Sequence, residues 1–374
     1  MTAMMSAEER LRAVVRLEPV DRVPICPMVD FFAARFTGTT MARFVNDPDA
    51  CENALVECFE RLGGWDFTFN AVVRDPFAFS LLEMCKMKLP GRDLPDDEIW
   101  QFDEMPLLTV EDYDLIVEKG FYSFLFSDYV PRILPDMPPS EVPIRLARGT
   151  ARIKEAVARW KARGVPTMRV AGTTTPFEAF SKGRSLAEFG SDLYQEAERL
   201  EAAMAVAVAE MAASAVAAAR ESGVPGVFLA GSRGSGTFLS PKRFERFYLP
   251  YLQQMVSALI QADLVPILHF DQDWTRNLEY FKAFPKGSCI LQLDGFTDVR
   301  RAKEALGNHM CIMGDVPPTL LSLGTPGEVE DYTRQLIEDV GKDGGFILSS
   351  GCSVPVDAKP ENVRAFIDVG KSYA

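Results

Sequence analysis

Histidine is scarce in this chain, which holds two, His269 and His309, among 374 residues. Its seven cysteines, Cys26, Cys51, Cys58, Cys85, Cys289, Cys311 and Cys352, form no Cys-x-x-Cys pair. An odd, scattered set in a long chain is not the disulfide framework of a small secreted domain, and the reduced cytoplasm is the expected compartment. No long basic run offsets a formal charge of -13, which argues against nucleic acid and membrane surfaces as partners. The stretch from Met1 to Arg16 lacks the apolar centre of a signal peptide and reads as a short charged helix with Ser6 as N-cap and Glu9 in the capping-box position. The longest apolar stretch, Ala202 to Ala219, is mostly alanine and is bounded or interrupted by Glu201, Glu210 and Arg220, so a long helix is expected there rather than a bilayer span. Solenoid repeats and low-complexity linkers are missing too. Gly231-Ser-Arg-Gly-Ser-Gly236 has the wrong order for a dinucleotide fingerprint and opens into Thr237–Ser240, so it reads as a flexible loop.

What the chain does have is the composition of a globular enzyme, 47% hydrophobic and 25% charged. Short β-branched or apolar runs alternate with turns and helix-length amphipathic segments, the pattern of parallel βα units. The clearest strands are Thr167–Ala171, Gly226–Ala230, Val265–Phe270, Cys289–Leu293, Met310–Met313 and Phe346–Ser349; Val23–Val29, Trp65–Asn70 and Val142–Ala147 are weaker. Helices are expected over Ser191–Ser222, Pro241–Ala262, Trp274–Phe284, Asp298–Leu306 and Pro326–Val340. The count approaches that of a closed barrel, although alternation alone also suits a doubly wound open sheet. One single-domain (β/α) barrel over residues 1–374 is expected, with the proline-rich, acidic stretch 75–140 as an irregular excursion over the barrel mouth.

In a parallel fold the residues at the carboxyl ends of the strands converge on one face. They are Asp30, Asp66, Thr173 to Thr175 with Glu178, Ser232 and Arg233, His269 with Asp271 and Asp273, Asp294, Asp315 and Cys352. His269 closes the run Val265-Pro-Ile-Leu-His-Phe-Asp271, where strand alternation puts His269 and Asp271 on one side. A core histidine bonded to Asp271 would leave the same trace. Cys352 follows a strand that ends in small residues, so its sulfur should reach the same mouth, unless it is a small buried hydrophobe. Imidazole, thiolate and carboxylate together suit Zn2+, whose catalytic sites keep one position open. Asp294 and Asp315 would be further ligands or a general acid, and Arg233 would hold a carboxylate or phosphate, though Asp294 as a cap and Arg233 as a solvated arginine fit as well. His309 precedes its strand and belongs to the opposite face.

The carboxyl-terminal third carries a set of motifs in a fixed order. They are Phe238-Leu-Ser-Pro-Lys-Arg-Phe-Glu-Arg-Phe-Tyr-Leu-Pro-Tyr251, Pro266-Ile-Leu-His269, Gly314-Asp-Val-Pro-Pro318, Gly324-Thr-Pro-Gly-Glu-Val329 and Gly345-Phe-Ile-Leu-Ser-Ser-Gly-Cys352. In these the chain resembles the uroporphyrinogen decarboxylase superfamily over roughly Thr237 to Ala374, with Arg22-Val-Pro and Gly38–Gly64 as fainter echoes. The resemblance implies a (β/α)8 TIM barrel and one of two chemistries: cofactor-free decarboxylation of a tetrapyrrole, or zinc-dependent methyl transfer to or from a corrinoid (methylcobalamin type) on a partner protein.

The decarboxylases of that superfamily carry an early Arg-Gln-Ala-Gly-Arg-Tyr segment whose arginines bind the substrate's carboxylates. Here the corresponding stretch reads Pro27-Met-Val-Asp-Phe-Phe-Ala-Ala-Arg35, without that cluster. The methyltransferase branch holds zinc on a His-x-Cys pair and a later Cys. His269 and Cys352 match the first and last of these, and Asp271 stands in the middle position. The resemblance therefore implies His269, Asp271 and Cys352 as zinc ligands, Asp294, Asp315 or Glu178 as proton carrier or fourth ligand, and a thiol acceptor or a methyl ether, amine or thioether donor. The alternative is a metal-free decarboxylase using Asp30, Asp66 and Arg233 on a carboxylated substrate; a non-catalytic corrinoid-binding barrel is a third reading.

Overall fold

The computed structural model describes residues 4–73, 75–138 and 140–373, leaving Met1 to Ala3 of the expected first helix outside. Its strands are β1 (Thr68–Asn70), β2 (Lys86–Lys88), β3 (Gln101–Asp103), β4 (Thr167–Arg169), β5 (Ala171–Thr174), β6 (Gly226–Gly231), β7 (Val265–Phe270), β8 (Ile290–Leu293), β9 (Cys311–Val316) and β10 (Phe346–Ser350). Strands β5 to β10 pair in parallel in chain order, and β1 pairs with β4, Thr68 opposite Thr167 and Asn70 opposite Arg169. Only Val170 separates β4 from β5, so these are one strand with a break.

The ring closes at Ile25. That residue bridges Leu348 of β10, and its carbonyl accepts the amides of Asp66 and Phe67 just ahead of β1 at 3.0 and 3.3 Å. The expected strand Val23–Val29 is thus reduced to one bridge, yet the eight positions of a (β/α) barrel are all present and no sheet edge is left at the seam. Ser6 caps the helix Ala7–Val15 in a capping box with Glu9, and Thr325 with Glu328 does the same for Pro326–Leu336.

Period-two alternation sorts the strand residues into two cores. Cys26, Met28, Phe67, Ile267, Ile290 and Met313 fill the barrel, while Leu268, Phe270, Leu291 and Ile312 pack outward on the helices. Each such large side chain adds about 1.5–3 kcal/mol of burial. The same alternation that sends Ile267 inward sends His269 into the barrel lumen one turn of the pleat nearer the mouth. The helix Ala197–Ser222 is long and apolar enough to cross a bilayer by length and composition, but it buries Leu200, Met204, Ala207 and Met211 in the outer core.

Two expectations are corrected. Val142–Ala147 is the start of a helix, Glu141–Ala162: Val142, Ile144 and Leu146 alternate as in a strand, but Ile144 is exposed and the longer segment turns Val142, Leu146, Ile153, Ala156 and Trp160 inward at helical spacing. The stretch 75–140 is folded rather than irregular: it carries helices Pro76–Glu83 and Val110–Lys119 and the antiparallel pair β2–β3. Its Glu83 reaches Lys182 and its Glu104 reaches Arg233, both in segments that follow barrel strands.

Candidate metal centre

His269 sits at the carboxyl end of β7, 4% exposed, its ring centroid 5.0 Å from that of Phe228 on the neighbouring β6. Its Nε2 lies 3.2 Å from Asp271 Oδ1 and 3.8 Å from Cys352 Sγ. All three donor atoms fall within 4.8 Å of one another. Ligands at about 2.0–2.3 Å around a tetrahedral zinc stand about 3.3–3.8 Å apart; the distances from His269 to the other two donors match that spacing, and the 4.8 Å bound on the whole set is wider than it. Nδ1 of His269 is buried with no partner among the described residues, which leaves Nε2 as the nitrogen directed at the other two donors.

Burial lowers the proton affinity of His269, but the Asp271 carboxylate and Cys352 outweigh it and hold the imidazole well above its usual range. Asp271, although burial pushes it up, is held below the usual carboxylate range by His269, with a smaller contribution from Lys182. The pair thus keeps a proton that a cation bound there would displace.

Of the other strand-end groups, Asp294 stands beside this cluster, whereas Asp315 turns toward Tyr332 and Arg300 on the outer helices. Asp294 accepts the amides of Gln272 and Phe296, each at 2.9 Å, and burial, with Asp271 beside it, raises its pKa. Asp315, at the end of β9, accepts from the Tyr332 hydroxyl at 2.8 Å, and burial pushes its carboxyl up to about 7. Asp30 accepts from Asn70 Nδ2 and from Ser353 Oγ, both at 2.6 Å, and holds a φ of 23°, which side chains rarely adopt. It ties the loop bearing Cys352 to β1. Asp30→Ala should therefore weaken zinc affinity about 10–100-fold without removing a ligand, as measured by competition with a chromophoric chelator.

Three expected groups have other work. Glu178 is fully buried and accepts the amides of Ser232 and Gly234 at 2.8 and 3.0 Å. It pins the glycine-rich loop, so that loop is not the flexible one expected; a Cβ on Gly234 would lie 2.1 Å from the Tyr248 ring. Arg233 bonds the Ser181 carbonyl at 2.7 Å and pairs with Glu104. Asp66 is not at the mouth at all: it precedes β1, at the amino end of the barrel, where Arg10, Arg22 and the Ile25 amide saturate it.

Lys182 and Phe228 belong to the surroundings of the His269, Asp271 and Cys352 cluster but were not among the expected residues. Lys182 stands four residues after Glu178, the helical spacing that puts both on one side, which was the available signal. Phe228 gave none, because an inward aromatic reads as core.

A closed parallel barrel with a His/Asp/Cys cluster at the carboxyl ends of its strands defines the class. The family model described as "Uroporphyrinogen decarboxylase (URO-D)" matches residues 140–373, more than half of the chain. The chain belongs to the uroporphyrinogen decarboxylase family. Among curated relatives, the uroporphyrinogen decarboxylase of Syntrophotalea carbinolica is 29% identical over 133 residues, 36% of this chain and 38% of that protein. The chloroplastic enzyme of Zea mays is 32% identical over 139 residues, 36% of this chain and 34% of that one. The matched region thus spans well under half the length of these relatives. In fold, the chain is similar to a methyltransferase from Methanosarcina mazei, with a TM-score of 0.73 and 18% identity over 98% of this chain and 99% of that one.

Proposed function

We propose that the chain is a zinc-dependent methyltransferase that moves a methyl group between a corrinoid carried by a partner protein and a thiol, or a methyl ether, amine or thioether. The observation that carries this reading is the meeting of one nitrogen, one oxygen and one sulfur donor within 4.8 Å at the barrel mouth. Bound there, zinc would lower the pKa of a thiol that accepts the methyl, or act as a Lewis acid on a heteroatom that gives it up.

The chain's own residues would do the rest. His269 Nε2, Asp271 Oδ1 and Cys352 Sγ would hold the ion and leave one position of a four-coordinate set for the substrate. Asp271 where the family's methyltransferases carry a thiolate makes the site harder, which favours an oxygen-bearing substrate such as a methyl ether. Asp294, its proton affinity raised beside the cluster, would take or give a proton at its carboxylate. The segment 75–140 would exclude water from the mouth through its ties to Lys182 and Arg233. Phe238, Phe296 and Leu323 are exposed on segments following β6, β8 and β9, and they would give a corrinoid protein apolar contacts on the same face.

Two experiments test the reading. Zinc-edge anomalous scattering should place one ion against these three side chains. Demethylation of methylcobalamin, or of a methylated corrinoid protein, by a thiol should stop in EDTA and return with zinc. Carbon dioxide release from a carboxylated substrate, unaffected by EDTA, would favour the decarboxylase alternative instead.

Asp315 gives a pH prediction. Its folded pKa of about 7 lies above the reference 3.8, so the folded state binds the extra proton and stability falls as pH rises from about 4 to 7, then levels. Asp315→Asn should flatten that slope in melting temperature against pH. If Asp315 also carries a proton in turnover, the variant's rate profile should lose its limb near neutrality.

A further inference from the structure

A second cavity, apolar in its lining, lies outside the barrel, between helix Glu141–Ala162, helix Ala197–Ser222 and the break between β4 and β5. Its volume is about 610 Å³, within the range of sites for small organic ligands. His269, Asp271 and Cys352 do not line it. Phe44, Phe77, Leu81, Phe121 and Leu125, all buried, form part of its wall.

The covering helix stands off from this wall. Of its 22 residues only Val142, Ala156 and Trp160 are buried. Midway between them Gly149 faces the cavity, and a Cβ there would meet nothing within 4 Å. Packing does not require glycine at this position; a bulkier residue would occupy the space. An apolar void of this size is uncommon, because interiors are close-packed, and here ion pairs at its rim rather than apolar contacts hold the helix over it.

Charge at the cavity is mostly basic in an otherwise acidic chain, with Asp75 and Glu221 as its carboxylates. Arg145, Arg148 and Arg152 recur at helical spacing along its edge. The carboxylates there are spoken for: Asp75 pairs with Arg145 at 2.9 Å, and Glu221 with Lys154 at 3.0 Å. Arg148 has no ion pair among the described residues, and Arg152 keeps a buried Nε with no acceptor although its other nitrogens reach Asp49, Glu52 and Glu155. A buried donor without an acceptor is costly unless something supplies one.

We propose that this cavity is a binding site for an organic acid with an apolar body, its carboxylate or sulfonate held by Arg148 and Arg152 and its body against the aromatic wall. It is separate from the metal cluster and stands whatever reaction that cluster performs.

The test uses the full zinc-loaded chain and 8-anilinonaphthalene-1-sulfonate, an aromatic body with one sulfonate. Its fluorescence should rise in a saturable one-to-one titration. Octanoate should displace it at a concentration at least about 10-fold lower than 1-octanol needs, because only the acid engages the arginines. Gly149→Phe should cut affinity for the probe at least 10-fold with zinc content unchanged. Arg148→Ala, which removes an exposed side chain without a partner and so leaves the fold intact, should abolish the advantage of octanoate over octanol. Equal displacement by acid and alcohol in the wild type overturns the proposal, as does an octanoate advantage that survives Arg148→Ala, whatever the bulkier variant does.

Discussion

Replacing Cys352 by alanine is expected to reduce bound zinc from about one per chain to a small fraction, and methyl transfer at least ~100-fold. Changes in groups that merely orient a ligand already cost about 10–100-fold in metal affinity, and Cys352 would be the only sulfur donor in the cluster. His269→Ala should do the same. Asp271→Asn should have a smaller effect on binding and a larger one on rate, since it keeps an oxygen but loses the charge that offsets the metal. Asp271→Cys, the thiolate the family's methyltransferases carry, should raise zinc affinity and move substrate preference from oxygen toward sulfur. Because the metal-free pair of His269 and Asp271 keeps a proton, zinc affinity should weaken as pH falls, by about 10-fold per unit for each proton displaced. Metal analysis of protein purified without chelator reads the first result directly. Zinc far below stoichiometry in the wild type, unaltered by Cys352→Ala, would sink both the metal site and the activity built on it.

The barrel was legible where strands are long and buried on both faces. Six apolar runs from Thr167 onward correspond to the strands from β4 to β10, because central parallel strands are near-continuous hydrophobic stretches with glycine or aspartate at their ends. The meeting of His269, Asp271 and Cys352 could be read from the same strand ends, since parallel strands place them on one face however far apart they lie in sequence. The amino-terminal third was harder to read. Its first strand is one bridge at Ile25, too short for periodicity to mark. The segment 75–140 draws its order from contacts far along the chain: Glu83 with Lys182, Tyr129 with the Met84 carbonyl, Arg145 with Asp75. Such pairs leave no local pattern. Asp66 and Arg233 show the converse problem, for a charged residue near a strand end looks the same in sequence whether it faces a substrate or a partner 44 to 129 residues away.

Removing the Asp66 carboxylate should have the largest effect on stability, because of how the seam of the barrel is built. Asp66 is 5% exposed and accepts from Arg10 at 2.7 Å, from both terminal nitrogens of Arg22 at 2.7 and 2.6 Å, and from the Ile25 amide at 2.9 Å. Its own amide returns a bond to the Ile25 carbonyl. Where other neighbouring strands share a ladder, the first position of this barrel has a single bridge to β10 and a few backbone bonds toward β1, and the Asp66 carboxylate with its arginines reinforces them. Asp66→Ala strands a buried cation and frees the Ile25 amide, and breaking such a pair costs about 3–5 kcal/mol. Asp66→Asn keeps an oxygen for the amide and should cost less. At about 2–4 °C per kcal/mol, the alanine variant should melt roughly 6–20 °C lower. Zinc content and substrate affinity of the folded fraction should stay at wild-type values, since the group lies at the opposite end from the metal cluster. A normal melting temperature with weakened substrate binding would instead put Asp66 at the mouth and undo this account of how the ring is closed.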